Sequence, residues 1–197
     1  MDKGNKSLHP TRIHFNLSKQ IKEFYDNWET YEADMRMWEW SLPNKVSDFI
    51  NTNVTLDGKK VAEIGVGSGL LSKQHGGKDW DGYDISETMC ELSEPHYKSV
   101  RILDITKDPL PEKYDFIILC GVFAEGLIDA TAIDNIVESL NEDGQILTTF
   151  PCFTEFRERT GWNDQTKLKE VTSVDPEYTW TNEGVRKFNE IVLWDLA

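Results

Sequence analysis

Positive charge, cysteine and long apolar stretches are what this 197-residue chain has little of. Only 21 Lys+Arg stand against 35 Asp+Glu, a net charge of −14. A protein that neutralises phosphates needs a basic face, so nucleic acid is disfavoured as the main partner. The basic residues of the start, Lys3, Lys6, Arg12, Lys19 and Lys22, are accompanied by a single acid, Asp2. Residues 1–17 read as a flexible, solvated arm, with a transit peptide or an RNA-binding arm as the other readings. This stretch has no apolar region of ~7–15 residues, so it does not read as a secretory signal. Cys90, Cys120 and Cys152 lie far apart with no C-x-x-C, which excludes a disulfide framework or a zinc site. His9, His14, His75 and His96 are scattered without an H-x-x-x-H pair, so no metal is expected. A reducing cytoplasm is the simplest compartment. The longest apolar run, Phe116 to Phe123, is strand-length, far from the ~20 residues of a membrane span. There is no internal repeat.

What is present is an ordinary globular composition, 39% hydrophobic and 28% charged. From Ser18 to Trp40, large apolar residues recur at Ile21, Phe24, Tyr25, Trp28, Tyr31, Met35 and Trp38, one helical stripe, and predict a single helix. Pro43 opens a second helix carrying Val46, Phe49 and Ile50, and Asp57-Gly58 marks a turn. The pattern then changes to short strands separated by helices. Strands are predicted at 60–64, 80–84, 99–103, 114–120 and 145–150. Ser86 is the expected N-cap of a helix ended by Pro95, and Ala130 to Leu140 a further helix stopped by Asn141–Gly144. A last strand-like run, Ile191 to Trp194, lies near the end. Such alternation means βαβ units and a doubly wound, mostly parallel α/β sheet.

In that architecture ligands bind at the carboxyl ends of the strands. Gly65-Val66-Gly67-Ser68-Gly69 stands at the first such end. Its spacing is G-x-G-x-G, and Leu70 occupies the place where a dinucleotide fingerprint has its third glycine. Glu63 lies two residues before Gly65, where a carboxylate would repel a pyrophosphate. Asp84 ends the second strand, 19 residues past Gly65, the offset at which an acid bonds a ribose. The loop therefore suits a ligand with a ribose, a cationic amino group and no phosphate, which S-adenosylmethionine satisfies and a nicotinamide dinucleotide does not. Asp104 and Ile105 follow the third strand. Asp104 either accepts from the exocyclic amine of an adenine or closes its own turn, with Ile85 and Ile105 as apolar walls.

The stretch Val61-Ala62-Glu63-Ile64-Gly65-Val66-Gly67-Ser68-Gly69 resembles motif I of class I S-adenosylmethionine-dependent methyltransferases. Gly82-Tyr83-Asp84-Ile85-Ser86 with Met89, Tyr114-Asp115-Phe116-Ile117-Ile118, and Asp143-Gly144-Gln145-Ile146-Leu147 resemble later segments of the same family. Within it, Tyr25-Asp26-Asn27-Trp28-Glu29-Thr30-Tyr31 and Cys120-Gly121-Val122-Phe123-Ala124-Glu125-Gly126 are similar to the Williams–Beuren-region methyltransferase-like group. The resemblance implies a seven-stranded Rossmann-like sheet with a helical lid over residues 18–53, a cofactor-binding core over 54–150, and a substrate-side segment with the last strands over 151–197, all in one domain 18–197. It also implies a cofactor site made of Tyr25, Tyr31, Glu63, Gly65, Gly67, Gly69, Asp84, Ile85, Met89, Asp104, Ile105 and Cys120. Tyr25 and Tyr31 either approach the cofactor or simply pack on the sheet, and Arg36 either meets its carboxylate or lies on the surface. The short stretch Gly69 to Trp80, with Gly76-Gly77, predicts a stubby first crossover helix and an exposed turn.

The implied chemistry is methyl transfer by in-line displacement, in which a protein mainly supplies alignment and desolvation. Glu125, Cys120, Tyr25 and His14 are candidate bases, none with a partner at a diagnostic spacing. Amino-methylating nucleic-acid enzymes carry Asn/Asp-Pro-Pro-aromatic after the fourth strand, and cytosine-C5 enzymes a Pro-Cys pair. Here that place holds Gly121-Val122-Phe123-Ala124, while Pro151-Cys152 follows the fifth strand. A small-molecule acceptor is expected, its pocket lined from Cys152 to Asp175 by Phe153, Phe156 and Trp162, unless those aromatics are core. The expected assembly is a monomer or weak homodimer, without membrane contact. A non-catalytic S-adenosylmethionine-binding regulator or partner subunit would look the same at the loop.

Overall fold

A computed structural model of the chain describes residues 18–123, 127–128, 130–151, 156–175, 180–182 and 185–197. Five parallel strands, β1 (Val61–Ile64), β2 (Asp81–Asp84), β3 (Ser99–Ile102), β4 (Tyr114–Leu119) and β5 (Leu140–Pro151), come first in the chain. They are followed by β6 (Leu168–Val174), a separate hairpin of β7 (Trp180–Asn182) and β8 (Val185–Lys187), and β9 (Asn189–Leu196). The main sheet has seven strands in the order β3-β2-β1-β4-β5-β9-β6, with β9 antiparallel to both its neighbours. This is the doubly wound, mostly parallel sheet that the strand–helix alternation predicts.

The alternation of side chains along each strand explains why both faces are covered. In β4, Ile117 and Leu119 enter one core cluster, with Ile64, Tyr83, Phe150, Trp162 and Trp194. Phe116 and Ile118 enter the opposite one, with Val61 and the α3 (Leu42–Asn53) residues Val46 and Ile50. Each such side chain taken out of water stabilises the fold by about 1.5–3 kcal/mol, so β4 anchors both layers. Strand order reverses between β1 and β4, so the switch point lies at their carboxyl ends.

Three expectations are corrected. The predicted single helix 18–40 is two, α1 (Ser18–Asp26) and α2 (Tyr31–Met37). Asn27 turns its amide onto the Glu23 carbonyl (2.6 Å), while the Trp28 ring nitrogen and the Thr30 hydroxyl both donate to the Asp34 carboxylate (2.8 and 2.7 Å). These side-chain bonds replace the helix ladder between the two pieces. The predicted helix 130–140 is a 3₁₀ turn, Ala130–Ala132, followed by α6 (Ile133–Glu138). It stops because the Ser139 hydroxyl donates back to the Asn135 carbonyl (2.6 Å) and accepts from the Leu110 amide (2.8 Å). Asn141–Gly144 is not a stop before β5 but an irregularity inside it, spanning the register shift from Tyr114↔Leu140 to Phe116↔Gln145. The first crossover helix, α4 (Leu70–His75), is stubby as expected and ends on an exposed Gly76. Gly77, in contrast, is buried against Trp80.

Candidate functional site

The loop from β1 into α4 crosses the carboxyl end of the sheet tethered to its neighbour: the Gly65 and Val66 amides both donate to the Tyr83 carbonyl of β2 (2.7 and 3.2 Å). Gly65 and Gly67 adopt φ of 73° and 51°, in the left-handed region. Space excludes side chains as well. A Cβ on Gly65 would overlap the Cγ2 methyl of Val122, and one on Gly67 would lie 2.9 Å from the Tyr31 hydroxyl. The loop thus presents bare backbone to a cavity of about 220 Å³ whose other walls are the ends of β1–β5, the segments after them, and the two N-terminal helices.

Ten of the twelve expected residues line this cavity: Tyr25, Tyr31, Glu63, Gly65, Gly67, Asp84, Ile85, Asp104, Ile105 and Cys120. The other two do not. Gly69 caps α4 and faces Ser93 and His96, and Met89, on α5 (Glu87–Ser93), is fully buried beneath Tyr31, Met35 and Trp38. Both shape the site from behind.

Glu63 explains itself only here, since a glutamate in a fully buried strand needs a partner. Tyr97 donates its hydroxyl to Oε2 at 2.7 Å. Burial nevertheless pushes the Glu63 carboxyl up to about 8, the Tyr97 bond opposing and Asp84 adding to the rise. Asp84 accepts from the Ser86 amide on Oδ1 (2.9 Å) and from the Gly67 amide on Oδ2 (3.0 Å). Burial outweighs those backbone bonds and lifts it to about 6. Each carboxylate oxygen has a second lone pair, so Asp84 retains acceptor capacity for a sugar's hydroxyls. Two buried acids that both favour protonation form a site in which a cation is stabilising. Ser68, whose buried hydroxyl has no hydrogen-bond partner, lies on the same wall.

Asp104 lines the cavity, yet its carboxylate is engaged locally. Oδ1 accepts from the Thr106 amide (3.1 Å) and hydroxyl (2.6 Å), and Oδ2 pairs with Lys107 (2.8 Å). It closes its own turn. Arg36 lies on the surface, paired with Glu32 at 3.6 Å. The Cys120 thiol and the Tyr25 phenol are both pushed up by burial, which leaves neither as a base near neutral pH. Glu125 and His14 lie outside the described residues.

The roof is aromatic. Trp28 meets Tyr31 edge-on (centroids 5.0 Å), with Tyr25 and Trp38 each 5.9 Å away. On the β4–β5 side the walls are Trp40, Leu42, Val122, Phe123, Pro151 and Phe188, with Lys187 and Asn189 as polar members. Of the two readings of the 152–175 aromatics, the core one holds for Phe156 and Trp162: Trp162 meets Phe123 (4.7 Å) and Phe150 (5.0 Å) edge-on, and neither residue lines the cavity. Cys152 and Phe153 lie outside the described residues. Sequence reasoning missed Tyr97, 34 residues from Glu63, and the Lys187–Asn189 corner brought in by β9; nothing local in the sequence marks either.

No protein-family model matches this chain, and no curated protein matches it by sequence. Solved structures do match it. A magnesium protoporphyrin IX methyltransferase from Synechocystis, crystallised with S-adenosylmethionine, superposes with a TM-score of 0.67 at 15% identity, over 91% of this chain and 97% of that one. This is the fold of the S-adenosylmethionine-dependent methyltransferases. A TehB-like member from Corynebacterium glutamicum gives 0.61 at 17% identity, over 89% and 99% of the two chains. A candidate RNA methyltransferase from Pyrococcus horikoshii gives 0.62 at 13%, over 79% and 84%. In the methyltransferase fold of this chain, the glycine loop and Glu63 lie at the carboxyl end of β1 beside the switch point, and Asp84 at that of the neighbouring β2. Among the described residues no helix is long and apolar enough to cross a membrane, and no group of side chains is arranged to hold a metal.

Proposed function

We propose that this protein is an S-adenosylmethionine-dependent methyltransferase acting on a small molecule. The observation that carries the reading is the pair of buried acids, Glu63 and Asp84, on either side of a loop whose glycines leave no room for a side chain. The fit follows group by group. Asp84 takes the ribose hydroxyls, Glu63 faces the cationic amino-acid end, Ile85 and Ile105 sandwich the base, and the Ser68 hydroxyl offers an unused donor. The relatives of the same fold, one of them crystallised with that cofactor, support the choice. The likeness of Tyr25–Tyr31 to the Williams–Beuren-region group supports the finer placement within the family.

Bound S-adenosylmethionine would supply a methyl group already activated by its sulfonium. What the chain adds is alignment and dryness. Tyr25, Trp28 and Tyr31 roof the site and exclude water. The apolar walls on the β4–β5 side receive the acceptor, and their character suits a compact, largely apolar molecule better than a polyanion. The net charge of −14 supports that choice over nucleic acid. No described side chain is assigned as a base.

The test is thermal. Ligand at 100-fold above Kd stabilises the native state by about 2.7 kcal/mol. S-adenosylmethionine and its demethylated product should raise Tm, and NAD should not. A chain indifferent to saturating S-adenosylmethionine rules the reading out. A metabolite screen for methyl acceptance then separates an enzyme from a binding protein.

A further inference from the structure

Asp26 follows Tyr25 in the first lid helix but does not line the cavity, so cofactor contact leaves it without a role. Its surroundings provide one. Oδ1 accepts from the Ser86 hydroxyl at 2.7 Å and from the Thr88 amide at 3.4 Å, and its carbonyl accepts from the Thr88 hydroxyl at 3.0 Å. Oδ2 pairs with Lys22, one turn earlier on the same helix. Asp26 thus sits against the first turn of α5, where unpaired amides favour an acid. Burial opposes its ionisation, yet the bonds from Lys22, Ser86 and Thr88 together hold its carboxyl below the usual range.

This attachment joins the end of α1 to the body of the protein. None of its residues is buried. A further polar tie to the body of the protein is the Ser18 hydroxyl, 3.5 Å from that of Thr106. The Asp26 partner is also no bystander. Ser86 is fully buried, its hydroxyl accepts from the Met89 amide (3.2 Å) to cap α5, and its own amide donates to Asp84. Asp84 in turn accepts from the Gly67 amide, and Gly67 faces the Tyr31 hydroxyl of α2. A continuous path therefore runs from the lid through Ser86, Asp84 and the glycine loop back to the lid.

We propose that Asp26 is a positioning residue: it latches the lid to α5 and, through Ser86, holds the Asp84 carboxylate in place for a ribose, so that lid closure and sugar binding are one event. The inference rests on the methyltransferase reading for the identity of the sugar, and on the hydrogen bonds alone for the latch. It assigns the Asp of the Tyr25-Asp26 pair a task distinct from that of the tyrosine beside it.

The experiment uses the full chain as wild type and as three variants, Asp26→Ala, Asp26→Asn and Lys22→Met. Calorimetry reads the affinity for S-adenosylhomocysteine and for adenosine, which lacks the amino-acid arm. Hydrogen exchange reads residues 18–37 with and without ligand. Asp26→Ala should weaken both ligands about ten-fold or more, the scale of a lost hydrogen bond to a charged group. Its lid should exchange equally fast in both states while β1 and β4 stay as protected as in wild type. Asp26→Asn, which keeps an acceptor for Ser86, should fall between, and Lys22→Met should stay within about two-fold of wild type. Wild-type affinity and lid protection in Asp26→Ala overturn the proposal. So does a loss for S-adenosylhomocysteine with none for adenosine, which would make Asp26 a lid anchor uncoupled from Asp84. If the wild-type chain binds neither ligand, the methyltransferase reading fails instead. The latch is then decided on the free protein, where unchanged lid exchange in Asp26→Ala overturns it and faster exchange supports it.

Discussion

The floor and the roof of the cavity are built by different means. The floor is sheet-borne. Gly65 and Gly67 follow β1, Asp84 ends β2, and the register Ala62↔Asp81, Glu63↔Gly82, Ile64↔Tyr83 sets their relative heights before any side chain acts. The roof is ring-borne: α1 has no buried residue, and Tyr25, Trp28 and Tyr31 hold one another at centroid separations of 5.0–6.3 Å. Parallel strands locked on both sides cannot shift singly, whereas a short helix tied by a few side chains opens at little cost. A site that must enclose a ligand and then release it needs one wall of each kind.

The contrast is broken most severely on the floor. Gly65→Val adds a side chain where Val122 already lies and demands a left-handed backbone that β-branched residues avoid. Binding of S-adenosylmethionine should vanish, a loss of roughly 4–5 kcal/mol or more, which calorimetry reads directly. If Gly65→Val still binds, the floor is not rigid.

The next effect is a pH dependence. The Glu63 carboxyl is raised from 4.5 to about 8, so between those values the native state keeps a proton that the unfolded state has released. Stability of the free protein should therefore fall as pH rises through that window. From pH 5.5 to 8 the difference between wild type and Glu63→Gln in urea unfolding should change by about 3 kcal/mol, at about 1.4 kcal/mol per pH unit. Asp84, raised from 3.8 to about 6, adds a loss of the same sign confined to the lower part of the range. A flat difference across pH 5.5–8 would mean that Glu63 is solvated.

Asp84→Ala should weaken S-adenosylmethionine by roughly 1.5–3 kcal/mol, the scale of hydrogen bonds to a charged group, measurable as a ten- to hundred-fold rise in Kd. The smallest effect belongs to the outer surface of the roof. Arg36→Ala removes only an exposed pair with Glu32 and should change the free energies of unfolding and of cofactor binding by less than about 0.5 kcal/mol each. A larger loss would place Arg36 inside the site after all.

What could be read from sequence followed from local chemistry. Glycines at 65 and 67 are required by backbone φ, Ser86 caps its helix through the Met89 amide, and the alternation of short apolar strands with helices leaves few topologies. Where the periodicity alone misleads, specific side-chain bonds and packing decided. The stripe from Ile21 to Trp38 has the periodicity of one helix, but Asn27, Trp28 and Thr30 bond sideways and split it. Phe156 and Trp162 read from sequence as either pocket wall or core, and β5 and β9 decide for core by bringing Phe150 and Trp194 against them.

By itself, the sequence determined the alternation of β1–β5 with the helices between them, the bare backbone of the glycine loop and the presence of an acid at the ends of β1 and β2, because each rests on a residue's own conformational or chemical preference. Only the tertiary structure decided that Tyr97 reaches Glu63, that Lys187–Asn189 close one side of the cavity, and that Asp26 meets Ser86. Those are contacts across 34 to 60 residues, and no local preference specifies which distant surfaces a folded sheet will bring together.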